Sequence, residues 1–298
     1  MLYIYQSLKE HKHEFFVNFI TNYQNFLILH TITSGHYWRN SNITELQLLS
    51  LDENHVPFIE IWKCEREEDE YEILTILSER LKKTTAFMGF NSTSFHIPYL
   101  KKKYHAYGLE DPFMNHTHYD IFKELKQIGT MLHISLKLKD LQLYYNLSDE
   151  TPEIKTIFCS LQFFKYKEFF LGNFSVKEIE LDSDQLYVTL DSSLEFMKPL
   201  HFHHSAFYLI LENDIIKLSI RLFDGKLRVY YSNFKDYYYL PDEEMLIHKS
   251  MSSGIAKERL VKATAQTCFQ QIPLPGTLAN DYINKYLKML FKNIYEMQ

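Results

Sequence analysis

The sequence predicts a mixed α/β sheet flanked by helices, followed by a small C-terminal α+β unit. Three observations predict this arrangement. Short apolar runs alternate with amphipathic segments through the first part of the chain. Strand-like runs separated by turns follow, one of the turns being Asp224-Gly225. A long amphipathic segment then ends the sequence. We therefore expect two domains, residues 1–195 and 196–298.

In the first domain, the predicted strands are short apolar runs bounded by polar or glycine-containing turns. They cover residues 26–29, 45–51, 58–64, 86–91 and 118–122. Apolar residues at helical spacing predict helices over 72–81, 92–104 and 137–145. Pro98 suits the first turn of the second helix, whereas residues 156–172 are expected to form a less regular aromatic region.

In the second domain, three strand-like runs precede a group of predicted helices. The strands cover residues 207–212, 215–223 and 226–231, and the helices cover 245–256, 257–267 and 278–297. The last helix carries an apolar stripe that includes Ile283, Leu287, Leu290 and Ile294.

Composition excludes several classes of protein. The 298 residues carry 38 acidic and 32 basic side chains, a net charge of -6, which argues against the broad basic surface of a protein that coats nucleic acid non-specifically. A local basic groove is still compatible with this total. The three cysteines lack the paired spacing of a zinc site and are expected to be reduced. No uncharged run approaches the roughly 20 residues that span a bilayer, so we expect a cytoplasmic protein without a membrane segment.

Four sequence segments together resemble a known family. They are 26–35, Gly89-Phe90-Asn91-Ser92-Thr93-Ser94-Phe95-His96-Ile97-Pro98-Tyr99-Leu100, 119–122 and 138–141. Their order and spacing are similar to those of the ribonuclease H-like domain of YprB-type proteins, within the DEDD group of 3′-5′ exonucleases. The resemblance covers roughly residues 20–170 and implies a ribonuclease H-like mixed sheet. Segments 237–241, 247–250 and 262–268 are similar to a tail that accompanies this domain in some members.

The resemblance also implies where a catalytic site would lie. Family members hydrolyse phosphodiesters with two Mg²⁺ or Mn²⁺ ions about 4 Å apart, held by carboxylates because such hard cations prefer oxygen ligands. The first family strand ends DxExTG, and the two acid positions correspond here to His30 and Ile32. The acid of the family's NxxSFD motif corresponds to His96. The sequence therefore offers no catalytic residue at these three positions.

Loss of three carboxylates removes most of the negative charge that offsets two dications. The expected protein is therefore a nucleic-acid-binding pseudoenzyme that needs no cofactor. One alternative is an active 3′-5′ exonuclease with a rebuilt metal site, for which His30, His96 and Asp120 are the candidate ligands, with Mg²⁺ or Mn²⁺ if any activity remains. A second alternative is a protein-interaction scaffold, for an unknown protein partner, that binds no nucleic acid.

The resemblance and the charge pattern suggest residues for binding DNA or RNA. Asn91 and Ser94 occupy the retained part of the second motif, and Asp120 corresponds to a family acid outside the catalytic four. Lys101, Lys102 and Lys103 either form a basic lip for phosphates or cap a solvated helix end.

Two aromatic or histidine-rich segments have further possible roles. In 201–204, His201 and His203 would share one face of a strand, either as metal ligands or as part of an exposed polar edge. Tyrosines within 230–239 would either stack on unpaired bases or pack half-buried.

Overall fold

A computed structural model describes residues 1–8, 26–194, 198–212 and 215–297. The chain divides into two compact units. The first unit comprises Met1–Lys126 and Ser135–Leu161, and the second comprises Gln127–Ile134 and Gln162–Gln298. The predicted domain boundary, between residues 195 and 196, lies outside the described residues and stays a prediction.

The first unit contains a six-stranded mixed sheet in the order β1-β4-β3-β2-β5-β6. Strands β1 to β4 pair antiparallel, whereas β2, β5 and β6 run parallel. The strands are β1 Leu2–Ser7, β2 Phe26–Thr33, β3 Ile43–Leu51, β4 Pro57–Lys63, β5 Ala86–Gly89 and β6 Thr117–Asp120. The helices between and after them are α1 Asp69–Leu81, α2 Ile97–Ala106, α3 Ile121–Met131, α4 Leu138–Tyr144 and α5 Glu153–Ser160; residues 127–131 of α3 belong to the second unit. This mixed sheet with flanking helices confirms the predicted fold class.

The core of the first unit forms because strand and helix periodicities place apolar residues on facing surfaces. Leu27 and Leu29 of β2 lie in one buried cluster with Leu74 of α1 and Tyr104 of α2. Residues 28 and 30 alternate to the other side of β2. His30 is therefore on the side of the strand opposite to this cluster.

The second unit is built mainly from antiparallel sheets. One sheet has five strands in the order β7-β8-β11-β10-β9, and smaller sheets pair β12 with β16 and β14-β13-β15. The strands are β7 Ser175–Asp182, β8 Gln185–Asp191, β9 Leu200–His204, β10 Phe207–Glu212, β11 Ile215–Arg221, β12 Lys226–Tyr230, β13 Tyr237–Leu240, β14 Met245–His248, β15 Val261–Lys262 and β16 Phe269–Pro273. Helices α6 Phe163–Phe170 and α7 Asn280–Glu296 accompany these sheets.

Helix α7 confirms the predicted apolar stripe. Ile283, Leu287, Leu290 and Ile294 are all buried. Between them, the ring of Phe291 lies 5.3 to 5.7 Å from the rings of aromatic residues in the unit's core. These neighbours are Phe169, Phe170, Phe174 and Phe207.

Three predictions about the positions of helices are wrong. The segments 245–256 and 257–267 form no α-helix; β14 pairs with β13, short 3₁₀ turns cover Lys249–Gly254 and Lys257–Arg259, and β15 follows. No residue from 245 to 260 is buried, so a helix there would have no apolar face to dock. The region 156–172, expected to be irregular, contains α6 and most of α5, because burial of its aromatic side chains outweighs their modest helix propensity.

None of the described helices is both long enough and apolar enough to cross a membrane. Cys64, Cys159 and Cys268 are all free, as predicted.

Candidate functional site

The candidate site is centred on the end of β2, where His30 and Ile32 lie, the two residues that the sequence resemblance aligns with acids. His30 and Ile32 point to one side of the strand and Thr31 to the other. His30 is 4% exposed and Thr31 is 2% exposed. These side chains are thus inside the protein, and their partners decide what chemistry is available.

Glu153 is the partner of His30, and no sequence motif pointed to it. Glu153 Oε2 accepts a hydrogen bond from His30 Nε2 at 2.5 Å. This bond is the main reason why the pKa of the Glu153 carboxyl is lowered, although partial burial raises it. Glu153 is the first residue of α5, where the helix dipole also favours a negative charge. His30 and Glu153 therefore form a polar pair across 123 residues of chain.

Gln47 fixes the position of Glu153. Gln47 lies directly opposite His30 in the β2–β3 ladder, and its Oε1 accepts a hydrogen bond from the backbone N–H of Ile154 at 2.9 Å. That N–H lies in the first turn of α5, where backbone N–H groups have no acceptor within the helix. The buried glutamine thus satisfies the helix start and holds Glu153 beside His30.

His96 contacts β2 from the segment that follows β5. It ends a π-helical turn, Ser92–His96, that leads directly into α2. His96 Nδ1 and Thr31 Oγ1 are hydrogen-bonded at 2.8 Å, and the His96 ring lies 4.8 Å from the His30 ring in an edge-to-face arrangement. Burial, with a smaller contribution from His30, lowers the pKa of His96 to about 3. His96 is consequently a neutral imidazole at physiological pH.

Asp120 positions the turn that carries His96. It ends β6, opposite Gly89 of β5, and its Oδ2 accepts a hydrogen bond from the Thr93 backbone N–H at 2.8 Å. A Cβ on Gly89 would lie 2.4 Å from the Cβ of Ser92, so only glycine lets the turn approach β5 this closely. Asp120 Oδ1 is buried and has no hydrogen-bond partner among the described residues.

The structure separates the other candidate binding residues from this buried cluster. Asn91 and Ser94 are exposed on the turn, and Asn91 has a left-handed backbone with φ of 52°, which asparagine tolerates better than most residues. Lys102 is exposed and forms no ion pair with a described residue. Lys101 forms an ion pair with Asp111 at 3.0 Å, whereas Lys103 is buried against Glu70. Any phosphate contact from this helix end would therefore depend mainly on Lys102.

The residues present do not fit a two-magnesium centre. Two imidazoles and an isoleucine stand where the resemblance implies acids. Of the nearby carboxylates, Glu153 is hydrogen-bonded to His30, and Asp120 binds the Thr93 N–H through Oδ2 while its Oδ1 has no partner among the described residues. His30 Nδ1 is buried without a hydrogen-bond partner among the described residues. It could supply one nitrogen ligand to a metal ion, whereas Mg²⁺ needs several oxygen ligands. Within the described ranges, no group of three or more His, Cys, Asp or Glu side chains is arranged to hold a metal ion.

The residues of the histidine-rich and tyrosine-rich segments of the second unit differ in burial. His201 and His203 share a solvent-facing side of β9, whereas burial lowers the pKa of His204 to about 4. Tyr230 is fully buried, and Tyr237 stacks on Tyr231 with ring centres 6.2 Å apart.

Comparisons with known proteins agree with the architecture of the first unit. A family model described as the RNase_H superfamily matches residues 28–169. No curated protein matches the chain by sequence.

Among solved structures, E. coli exonuclease I in complex with a dT13 oligonucleotide is 10% identical, with a TM-score of 0.38 over 91% of this chain and 72% of that one. A zinc-bound form of the E. coli exonuclease I–single-stranded DNA complex is 10% identical, with a TM-score of 0.36 over 91% of this chain and 71% of that one. The family match over residues 28–169 and the mixed sheet with its flanking helices together show an RNase H-like fold.

Proposed function

We propose that this protein is a YprB-type member of the RNase H-like group that binds DNA or RNA strands without hydrolysing them, and that it acts in the cytoplasm. The observation that carries the proposal is the polar cluster at the end of β2. His30 is hydrogen-bonded to Glu153 there and His96 to Thr31, at positions where the resemblance implies carboxylates that would face a metal ion.

The physical argument concerns charge. Two-metal hydrolysis requires negative ligands that offset two dications and orient a water molecule. The neutral His96 ring supplies no negative charge, and one carboxylate oxygen of Glu153 is already hydrogen-bonded to His30. Binding of a strand, by contrast, needs only exposed polar groups, such as Asn91 and Ser94 on the turn and Lys102 on α2.

Binding is tested by fluorescence anisotropy with labelled single-stranded DNA and RNA oligonucleotides across a series of salt concentrations. We expect saturable binding at low salt that weakens as salt rises, because cations released from the strand drive association. Lys102→Gln should weaken binding of all sequences and lower the slope of log Kd against log salt by about 1, the effect of losing one phosphate contact.

The matched control is Lys226→Gln, which also removes an exposed lysine but lies on β12. It should leave the slope unchanged. Absence of any binding at low salt would favour the protein-interaction scaffold and contradict the proposal. If Lys102→Gln and Lys226→Gln bind the oligonucleotides with the same affinity and salt slope, the C-terminal end of α2 is not part of the binding surface.

A further inference from the structure

The five-stranded sheet of the second unit has two chemically different faces. Side chains alternate along each strand, so one face collects apolar residues and the other collects polar and aromatic ones. On the apolar face, Leu186, Val188, Leu209, Leu218 and Ile220 are all buried. The opposite face carries a cavity of about 610 Å³, within the size range of small-molecule sites.

Strand register arranges this second face in two rows across the sheet. The first row runs Glu180, Tyr187, Ser219, Tyr208, His203. The second row runs Glu178, Thr189, Lys217, Ile210, His201. An aromatic row thus lies beside a row with a lysine at its centre.

The aromatic row forms a slot. Tyr187 and Tyr208 lie opposite Ser219 on the two strands that flank it. Two strand spacings place the Cα atoms of the two tyrosines about 10 Å apart. The serine is small and its hydroxyl donates a hydrogen bond to Gln185, so the space above it is open between two rings. A planar heterocycle can enter this space and stack against a tyrosine.

Histidines hold one wall of the slot in place. Tyr208 Oη and His201 Nδ1 are hydrogen-bonded at 2.6 Å, and the His203 ring lies 4.6 Å from the Tyr208 ring. Tyr187, the other wall, is 42% exposed and available for contact.

Positive charge lies next to the slot. Lys217 is exposed and is the neighbour of Thr189 and Ile210 in the second row, diagonal to both tyrosines. It forms no ion pair with any described residue, and neither does Lys177, which occupies a bulge in β7 at the cavity edge. A phosphate attached to a stacked base would lie within reach of these ammonium groups.

Two carboxylates complete the lining. Glu178 and Glu180 are exposed on β7, beside the slot, and are likewise in no ion pair with a described residue. They are acceptors only, so they suit the hydroxyl groups of a ribose.

We propose that this face binds a nucleotide, with its base against Tyr187 and Tyr208, its phosphate on Lys217 and its ribose hydroxyls on the β7 glutamates. The nucleotide is either free or a unit of single-stranded RNA, since both present the same base, ribose and phosphate. The site is carried by the second unit alone and does not depend on the function proposed for the RNase H-like fold.

The test is isothermal titration of the full chain with AMP, adenosine, dAMP and the tetranucleotide r(A)4. We expect AMP to bind with a Kd of about 1 mM or tighter, the affinity of one stacked base with one charged contact. dAMP should bind several-fold more weakly because the carboxylates lose a hydroxyl partner. Tighter binding of r(A)4 than of AMP would identify single-stranded RNA as the ligand of this site, and equal binding would identify the free nucleotide.

Two variants separate the contributions of the base and the phosphate. Tyr187→Leu should weaken both AMP and adenosine at least about 5-fold. Lys217→Gln should weaken AMP about tenfold and leave adenosine unchanged. Tyr71→Leu and Lys226→Gln, which remove an exposed tyrosine and an exposed lysine elsewhere, are the matched controls.

Failure of all four probes to saturate would overturn the proposal. It would equally be overturned if AMP bound the two slot variants as tightly as the controls. Lys102→Gln distinguishes this site from the proposed strand-binding function, because it should leave AMP binding unchanged whether or not that function is correct.

Discussion

Lys103→Met is expected to lower the free energy of unfolding by about 3 kcal/mol or more, the usual cost of leaving one partner of a buried ion pair uncompensated. Lys103 Nζ lies 3.0 Å from Glu70 Oε2, and the two side chains are 7% and 1% exposed. The Glu70 carboxylate also accepts hydrogen bonds from the Ile43 N–H and the Tyr107 hydroxyl. Methionine fills a similar volume but leaves that carboxylate buried without its cation. Urea denaturation followed by circular dichroism measures the change.

Neighbouring lysines provide the control for this effect. Lys102→Met changes an exposed residue one position away and should alter stability by no more than about 0.5 kcal/mol. The double variant Glu70→Gln/Lys103→Met should recover part of the loss, because a neutral amide oxygen still accepts from Ile43. Equal stability of Lys103→Met and Lys102→Met would contradict the buried ion pair.

Acidification from pH 7 to pH 5 is expected to lower the free energy of unfolding by about 2 kcal/mol through His96 alone. Its pKa is about 3 in the folded protein, against an ordinary pKa of 6.5 for an unburied histidine. Between these values the unfolded chain binds a proton that the folded chain does not. Stability therefore falls as the pH decreases through this window, by about 1.4 kcal/mol per pH unit below 6.5.

The variant His96→Leu isolates this contribution. It removes the titrating group, so its unfolding free energy should change about 2 kcal/mol less between pH 7 and pH 5 than that of the unmodified protein. His105→Leu, on an exposed position of α2, should keep the original dependence. His204, whose pKa is lowered to about 4 by burial, contributes in the same direction and is present in all three proteins. Identical pH dependence in His96→Leu and the unmodified chain would show that His96 is not held neutral.

Much of the architecture around the site was predictable from local pattern. The apolar run before His30 forms β2, and the segment that was expected to open a helix at Ser92 forms the helical turn with His96 at its end. Periodicity also explains the buried lysine. Lys103 lies four residues after Tyr99 and three after Leu100, both buried, so it shares the inward face of α2 while Lys102 does not.

Glu153 was not predictable in the same way. Its contact with His30 joins residues far apart in sequence and depends on Gln47 receiving the first turn of α5. The local signal is only Thr151-Pro152-Glu153, which is typical of a helix start and carries no information about what that start faces. Tertiary placement, rather than residue type, makes this glutamate part of the site.

The most direct test of the central claim is release of nucleotides from end-labelled single-stranded DNA and RNA in the presence of Mg²⁺ or Mn²⁺. With His30 bonded to Glu153 and His96 bonded to Thr31, we expect no release above a protein-free control, with either metal and either strand. Release that requires the metal, stops with EDTA and is lost in His96→Ala would contradict the account and identify a working nuclease with a rebuilt site.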